Sequence, residues 1–179
     1  DKKEGRGKKT WKNGDVYDGE WKAGKAEGRG KYNYANGNVY DGEWKAGKKE
    51  GRGKYTYWRD VYEGQWKADK EEGRGKYTTF SSGEMYEGQW KDGQKDGQGK
   101  YTYANGDVYK GRWKAGKAKG LGKFTQVDGD VYEGEWKDDD VYRGQRKAGS
   151  VFRMPPPQGS KVVAFNGTHL ALHVGDEVL

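Results

Sequence analysis

The sequence has no cysteine in 179 residues, and only three prolines, two histidines and four phenylalanines. Without cysteine there are no disulfides, no thiolate metal sites and no thiol nucleophile. Only 31% of residues are hydrophobic, against roughly 45–50% apolar in an ordinary globular domain. A large Leu/Ile interior is therefore excluded. No stretch approaches the roughly 18 consecutive apolar residues that a membrane-spanning helix needs. What the chain does have is aromatic: 8 Trp and 14 Tyr, alongside 32 Gly. Charge-rich, apolar-poor chains tend to disorder, but disordered chains lack large rings. The expected core is thin, aromatic and extended. The net charge of +7 admits anionic partners, whether lipid head groups, nucleic acid or acidic protein, and does not choose among them.

Tryptophan measures out the organisation. Trp21, Trp44, Trp66, Trp90, Trp113 and Trp136 recur every 22 to 24 residues, each with Tyr four places before it and Gly two places before it. A fixed period of this length marks a repeat architecture. Each period contains two strand signals with alternation of period 2, as in Val39–Trp44 and Gly53–Tyr57, and no helical period. Tyr40, Gly42 and Trp44 share one face with Gly51, Gly53, Tyr55 and Tyr57. Asp41, Glu43, Arg52, Lys54 and Thr56 share the other.

Parity and charge then predict a register. Pairing Trp44 with Gly51 around a loop Lys45–Glu50 sets Glu43 against Arg52, Gly42 against Gly53, Asp41 against Lys54 and Tyr40 against Tyr55. The same register sets Glu20 against Arg29 and Asp18 against Lys31. Opposite charges facing across strands contribute roughly 0.2–1 kcal/mol per pair. A one-residue slip would move the rings to the charged face, so the register is strongly specified. The bare Gly42–Gly53 pair leaves a slot across which a ring can lie, which is why glycine is tolerated inside these strands. At Ala35-Asn36-Gly37-Asn38, parity rejects a two-residue Asn-Gly hairpin and favours a three-residue loop with Gly near the left-handed region. Trp58-Arg59-Asp60 is one residue shorter there, and Phe80–Gly83 one longer. Successive hairpins are expected to form one antiparallel meander, with the Lys-rich loops along one edge.

The motif Tyr-x-Gly-x-Trp-x-x-Gly-x-x-x-Gly-x-Gly resembles the MORN (membrane occupation and recognition nexus) repeat over roughly residues 5–149. Complete units start at Tyr17, Tyr40, Tyr62, Tyr86 and Tyr109. A sixth starts at Tyr132 and departs from the pattern at Asp138-Asp139-Asp140. A degenerate copy then reads Tyr142-Arg143-Gly144-Gln145-Arg146, with Arg146 in the Trp position. The resemblance implies an all-β, elongated, single-layer antiparallel hairpin array, degenerate after about residue 140. It also implies scaffold, membrane-proximal and protein-binding roles. Relatives precede lipid kinases and SET-domain methyltransferases, so a regulatory segment of such a larger enzyme is the alternative reading.

The array is expected over 1–149, a Pro-rich linker over 150–160, and a terminal hairpin or a fragment of a second small β domain over 161–179. Residues Leu170–Val178 are similar to the middle of an SH3 domain, and a terminal hairpin on the last repeat explains them equally well.

No catalytic set stands out. His169 and His173 share a strand face near Asp176 in the tail, but two imidazoles on a surface strand explain them better than a metal site does, so no metal and no cofactor is expected. The carboxylates recur in every unit beside basic partners, which is structural periodicity. Gly-Arg-Gly recurs at 28–30, 51–53 and 73–75 with no Lys-Ser/Thr after it, which makes it strand geometry and not a phosphate loop.

Two surfaces remain. One is the aromatic groove: Tyr17, Trp21, Tyr40, Trp44, Tyr62, Trp66, Tyr86, Trp90, Tyr109, Trp113, Tyr132 and Trp136. Most of these rings are structural, but a single layer leaves some ring surface open to a partner segment or a second copy. The other is basic. The six-residue loops carry most of the +7, and Lys114–Lys119 carries +3, the largest share. Lys110 faces Lys123 and Arg112 faces Leu121, so Lys110, Arg112, Lys114, Lys117, Lys119 and Lys123 form the densest basic patch. These are the lipid-binding candidates, set against a solubilising edge of lysines. The expectation is a non-catalytic cytoplasmic scaffold with a protein partner, peripheral at a membrane or the cytoskeleton. An anionic phospholipid is the second partner, and nucleic acid is not expected.

Overall fold

A computed structural model describes residues 2–147. The predicted linker and terminal segment, with His169, His173 and Asp176, lie outside the described residues. Among the described residues every regular element is a strand: β1 (Gly5–Thr10), β2 (Val16–Lys22), β3 (Lys25–Asn33), β4 (Val39–Lys45), β5 (Lys48–Tyr57), β6 (Asp60–Lys67), β7 (Lys70–Thr78), β8 (Met85–Lys91), β9 (Gln94–Thr102), β10 (Val108–Lys114), β11 (Lys117–Thr125), β12 (Val131–Lys137) and β13 (Asp140–Lys147). They form one antiparallel sheet in chain order, and the chain divides into two compact units between Gln94 and Lys95.

In the first unit, half of the predicted register is found. Tyr40 pairs with Tyr55, Asp41 with Lys54 and Gly42 with Gly53. Beyond that point the register shifts: Glu43 pairs with Glu50, Trp44 with Lys49 and Lys45 with Lys48. The predicted six-residue loop is therefore a two-residue turn, Ala46-Gly47, with both residues at positive φ (53° and 83°), as the right-handed twist of a hairpin favours. The two-residue change of register that goes with the shorter turn is taken up by a bulge at Gly51-Arg52, where Gly51 takes φ 62°. Glycine supplies this left-handed bulge position without a Cβ penalty. The predicted Trp–Gly and Glu–Arg pairs exist, but across the other turn: Trp44 pairs with Gly28 and Glu43 with Arg29.

The bulge changes what the glutamates do. Glu43 does not meet the Arg52 guanidinium. Its carboxylate turns into the bulge and accepts the Arg52 backbone N–H at 3.1 Å. Glu20 does the same for Arg29 at 3.2 Å, and Gln65 for Arg74 at 2.9 Å. A second set caps the turns: Glu4 accepts the Ala23 amide, Glu27 that of Ala46, Glu50 that of Ala68 and Glu72 that of Asp92, at 2.8–3.1 Å. Buried or strained backbone donors need such partners. The other turn matches expectation: Tyr34 N–H donates to Asn38 O across a three-residue loop, with Gly37 at φ 89°.

The core is a ladder of rings. Tyr40 is fully buried, lies over the Gly42–Gly53 slot and donates its hydroxyl to Glu43 O at 3.0 Å. Trp44 donates its indole N–H to Gly30 O at 2.9 Å, tying its hairpin to the preceding one, and Trp21, Trp66, Trp90 and Trp113 make the equivalent bond. Tyr17 meets Trp21 at 4.9 Å and Trp44 at 5.4 Å, and Tyr40 meets Trp44 at 5.0 Å and Trp66 at 5.3 Å, all edge to face. Such pairs contribute ~0.5–1.5 kcal/mol beyond burial. Trp66→Ala is therefore expected to destabilise the first unit by roughly 3–5 kcal/mol, with the damage concentrated in the adjacent repeats. Native-state hydrogen exchange that stays unchanged around β5–β7 would overturn this.

In the second unit the same frame runs through β9–β13. Tyr109 is buried over Gly111 and Gly122, and contacts Trp113 at 5.3 Å and Trp136 at 4.8 Å. The sheet does not end near residue 140. Strand β13 completes the sixth hairpin, with Gly134 opposite Gly144 and Tyr132 opposite Arg146. Arg146 thus takes the place of a second-strand Tyr such as Tyr55, and not the Trp position expected from the sequence. It donates to the buried Asp130 at 2.6 Å. Tyr132 is accordingly only half-buried.

Candidate functional site

The aromatic face is layered. The predicted groove residues Tyr17, Trp21, Tyr40, Trp44, Tyr62, Trp66, Tyr86, Trp90, Tyr109, Trp113 and Trp136 are buried, so they build the fold and offer little to a partner. The open surface belongs to the second strand of each hairpin and its turn. Tyr32, Tyr34, Tyr55, Tyr77, Tyr101, Tyr103 and Phe124 are half-exposed. Around the two irregular turns, Tyr57 and Trp58 are 48% and 83% exposed and Phe80 is 62% exposed. Trp58 sits at φ 57°, a conformation that bulky residues rarely adopt. Its N–H is held by Asn38 Oδ1 at 3.2 Å, and the Arg59 guanidinium lies 4.9 Å from the Phe80 ring centre.

Lysines also sit among these rings. The Lys49 ammonium lies 4.1 Å from the Tyr55 ring centre, 4.8 Å from Trp66 and 5.2 Å from Tyr40. Burial lowers its pKa, partly offset by Asp69 and Glu71. Lys95 takes the same position in the second unit, 4.3 Å from Tyr101 and 4.8 Å from Trp113. A ring face attracts a cation, most strongly when both are desolvated. A sequence pattern that counts Lys49 among edge charges misses this. It also misses Asp15 and Asp60. Each accepts a hydrogen bond from a tyrosine hydroxyl, Tyr32 and Tyr77, at 2.7 Å, and another from the next turn's amide, Ala35 or Phe80. Those bonds hold both carboxyls below the usual carboxylate range, the backbone bond contributing most.

The basic candidates of the fifth repeat lie on β10 and β11. Lys110, Arg112, Lys114, Lys117, Lys119 and Lys123 are all exposed. Lys110 stands between two lysines, opposite Lys123 on β11 and Lys100 on β9. Arg112 lies opposite Gln98 and not Leu121, which pairs with Glu135. Two of the six are not free. Lys114 is paired with Asp96 at 3.1 Å, and Lys123 with Glu133 at 3.0 Å. Glu133 is held below its ordinary pKa chiefly by that Lys123 bond. The unneutralised charge therefore centres on Lys110, Arg112, Lys117 and Lys119.

The MORN repeat description matches residues 1–16, 17–39, 40–57, 62–83, 86–108, 109–131 and 132–139. The chain belongs to the MORN-repeat family. No curated protein matches it. Among solved structures the MORN array is similar to the TCP domain of SAS-4 (dCPAP) from Drosophila melanogaster, solved in complex with a proline-rich motif of Ana2 (dSTIL). The two share 13% identity, with 81% of this chain and 79% of that one covered, at a TM-score of 0.52. It is also similar to the G-box domain of the microcephaly protein CPAP, at 12% identity, 81% and 77% coverage and a TM-score of 0.52. At such identities the likeness is one of fold. Among the described residues of the MORN array, no group of three His, Asp or Glu side chains is placed to hold a metal, and no helix is long and apolar enough to cross a membrane.

Proposed function

We propose that this MORN array is a non-catalytic scaffold whose aromatic face holds an extended segment of a protein partner. The observation that carries the reading is the open ring surface around Tyr57, Trp58 and Phe80, outside the buried ladder. Rigid rings with little rotamer entropy make good contact surfaces for extended, proline-rich chains. The proline-rich motif bound by the similarly folded SAS-4 domain supports this choice of partner. Anionic phospholipid is the second partner of the proposal, met by Lys110, Arg112, Lys117 and Lys119. Each such charge near an anionic bilayer contributes about 1 kcal/mol. The location that goes with this reading is cytoplasmic, at a membrane or cytoskeletal surface.

The test has two arms. Titrating a proline-rich peptide should quench or shift indole fluorescence, and Trp58→Ala with Phe80→Ala should weaken binding at least tenfold at unchanged melting temperature. Unchanged affinity would overturn the groove assignment. In the second arm, wild type should sediment with phosphatidylserine vesicles at low salt, and Lys117→Glu with Lys119→Glu should abolish it. A wild type that ignores such vesicles would remove the lipid partner.

A further inference from the structure

The fifth repeat lacks both of the side-chain acceptors that the first three repeats use, Glu20 and Glu27, Glu43 and Glu50, Gln65 and Glu72. In the first two repeats, Glu20 stands opposite Glu27 and Glu43 opposite Glu50. Each pair places one oxygen on a bulge amide, Arg29 or Arg52, and one on a turn amide of the following hairpin, Ala46 or Ala68. Two like charges side by side are tolerated because the backbone donors hold both.

Strands β10 and β11 keep the same geometry. Lys110 pairs with Lys123 and Gly111 with Gly122. The register then shifts so that Trp113 meets Ala118, and Gly120 takes the bulge conformation at φ 81°. The bulge amide is that of Leu121, and the following turn amide is that of Asp138, at φ 51°. The residues in the two glutamate positions are Arg112 and Lys119. Neither has an acceptor atom. The bulge is also less filled. A Cβ on Gly51 would stand 2.5 Å from the Glu43 carboxylate, whereas one on Gly120 would meet only the Arg112 stem, at 3.6 Å. Asp139 does not substitute, because its Oδ1 takes the Ala118 amide at 2.7 Å.

We propose that this place is an oxyanion site. A carboxylate or phosphoryl group carried by a partner supplies the oxygens that Glu43 and Glu50 supply in the second repeat. It accepts the Leu121 and Asp138 amides, and its charge is met by Arg112 and Lys119, with Lys117 alongside. Charge-assisted bonds from backbone N–H and guanidinium donors are the strong class of hydrogen bond. The proposal deepens the basic-surface half of the proposed function, on which it rests. It replaces a diffuse attraction of lysines with two directed amides.

The test is a proton–nitrogen NMR titration of the full chain with inorganic phosphate, and in parallel with N-acetylglutamate. Saturable downfield shifts are expected at the Leu121 and Asp138 amides. Arg112→Glu with Lys119→Glu rebuilds the frame's own carboxylates. It should abolish those shifts and raise the melting temperature. A control of equal charge change, Lys22→Glu with Lys45→Glu, should leave the shifts intact. Non-saturating shifts spread over all repeats, or shifts that survive in the Arg112/Lys119 variant, would overturn the site. A lower melting temperature for that variant would do the same. Phosphatidylserine vesicles form the last arm. Leu121 and Asp138 shifts without vesicle binding would sink the lipid reading, keep this site and point to a soluble phosphoryl or carboxylate partner. Vesicle binding without those shifts would keep the lipid reading and remove this site.

Discussion

Replacing Gly53 by alanine is expected to destabilise the first unit by about 3–5 kcal/mol, comparable to deleting a core ring. A Cβ at Gly53 would stand 2.5 Å from Tyr40 Cζ, and one at Gly42 would stand 2.5 Å from Gly53 Cα. Neither obstacle is the end of a flexible chain. The Tyr40 ring is held by its bond to Glu43 O and clamped between Trp44 and Trp66. The added methyl therefore expels the ring or parts the strands, beyond the usual ~1–3 kcal/mol of overpacking. Gly37 provides the contrast. It sits at φ 89°, and a methyl added there would meet nothing within 4 Å, so Gly37→Ala carries only the left-handed backbone cost of ~1–2 kcal/mol. Urea unfolding of both variants checks this. Equal losses would mean that the slot is not the reason for the paired glycines.

The second large effect is alkaline. Burial raises Tyr17, Tyr32 and Tyr77 from about 10 to about 12. Burial pushes Tyr34, Tyr40, Tyr62 and Tyr109 higher still. The sign follows from linkage. Above pH 10 the unfolded chain releases these protons while the folded chain keeps them, so stability falls as pH rises. It falls by up to about 1.4 kcal/mol per unit for each fully shielded hydroxyl. Several tyrosines acting together become comparable to the ~5–15 kcal/mol of a whole domain, with the half-open rings discounted for solvent screening. Near-UV circular dichroism and tyrosinate absorbance should therefore change together, in one step, between pH 10 and 12. Gradual ionisation from pH 10 with the fold intact would overturn it.

Much of this architecture is legible in the residues. Ring, glycine and charge positions separate by parity, and a strand has only two faces, so Tyr40–Tyr55, Asp41–Lys54 and Gly42–Gly53 follow from alternation. The three-residue loop at Ala35–Gly37 follows from the same parity. Gly51 and Gly53 look alike in sequence, yet only Gly51 adopts positive φ and opens the bulge. That difference shortens the predicted Lys45–Glu50 loop and turns Glu43 from an ion partner of Arg52 into an acceptor for its backbone. It also gives Arg112 and Lys119 their significance. The misplacement of Arg146 has a related cause: β13 is one residue shorter through its bulge, and only the pairing with Tyr132 fixes its place. The sequence by itself determined the family, the hairpin repeat and the face on which each ring lies, because those depend on near neighbours and a period of two. Tertiary structure decided which backbone amides a bulge leaves open and which side chains close over them, because those donors come from strands whose register no local pattern records.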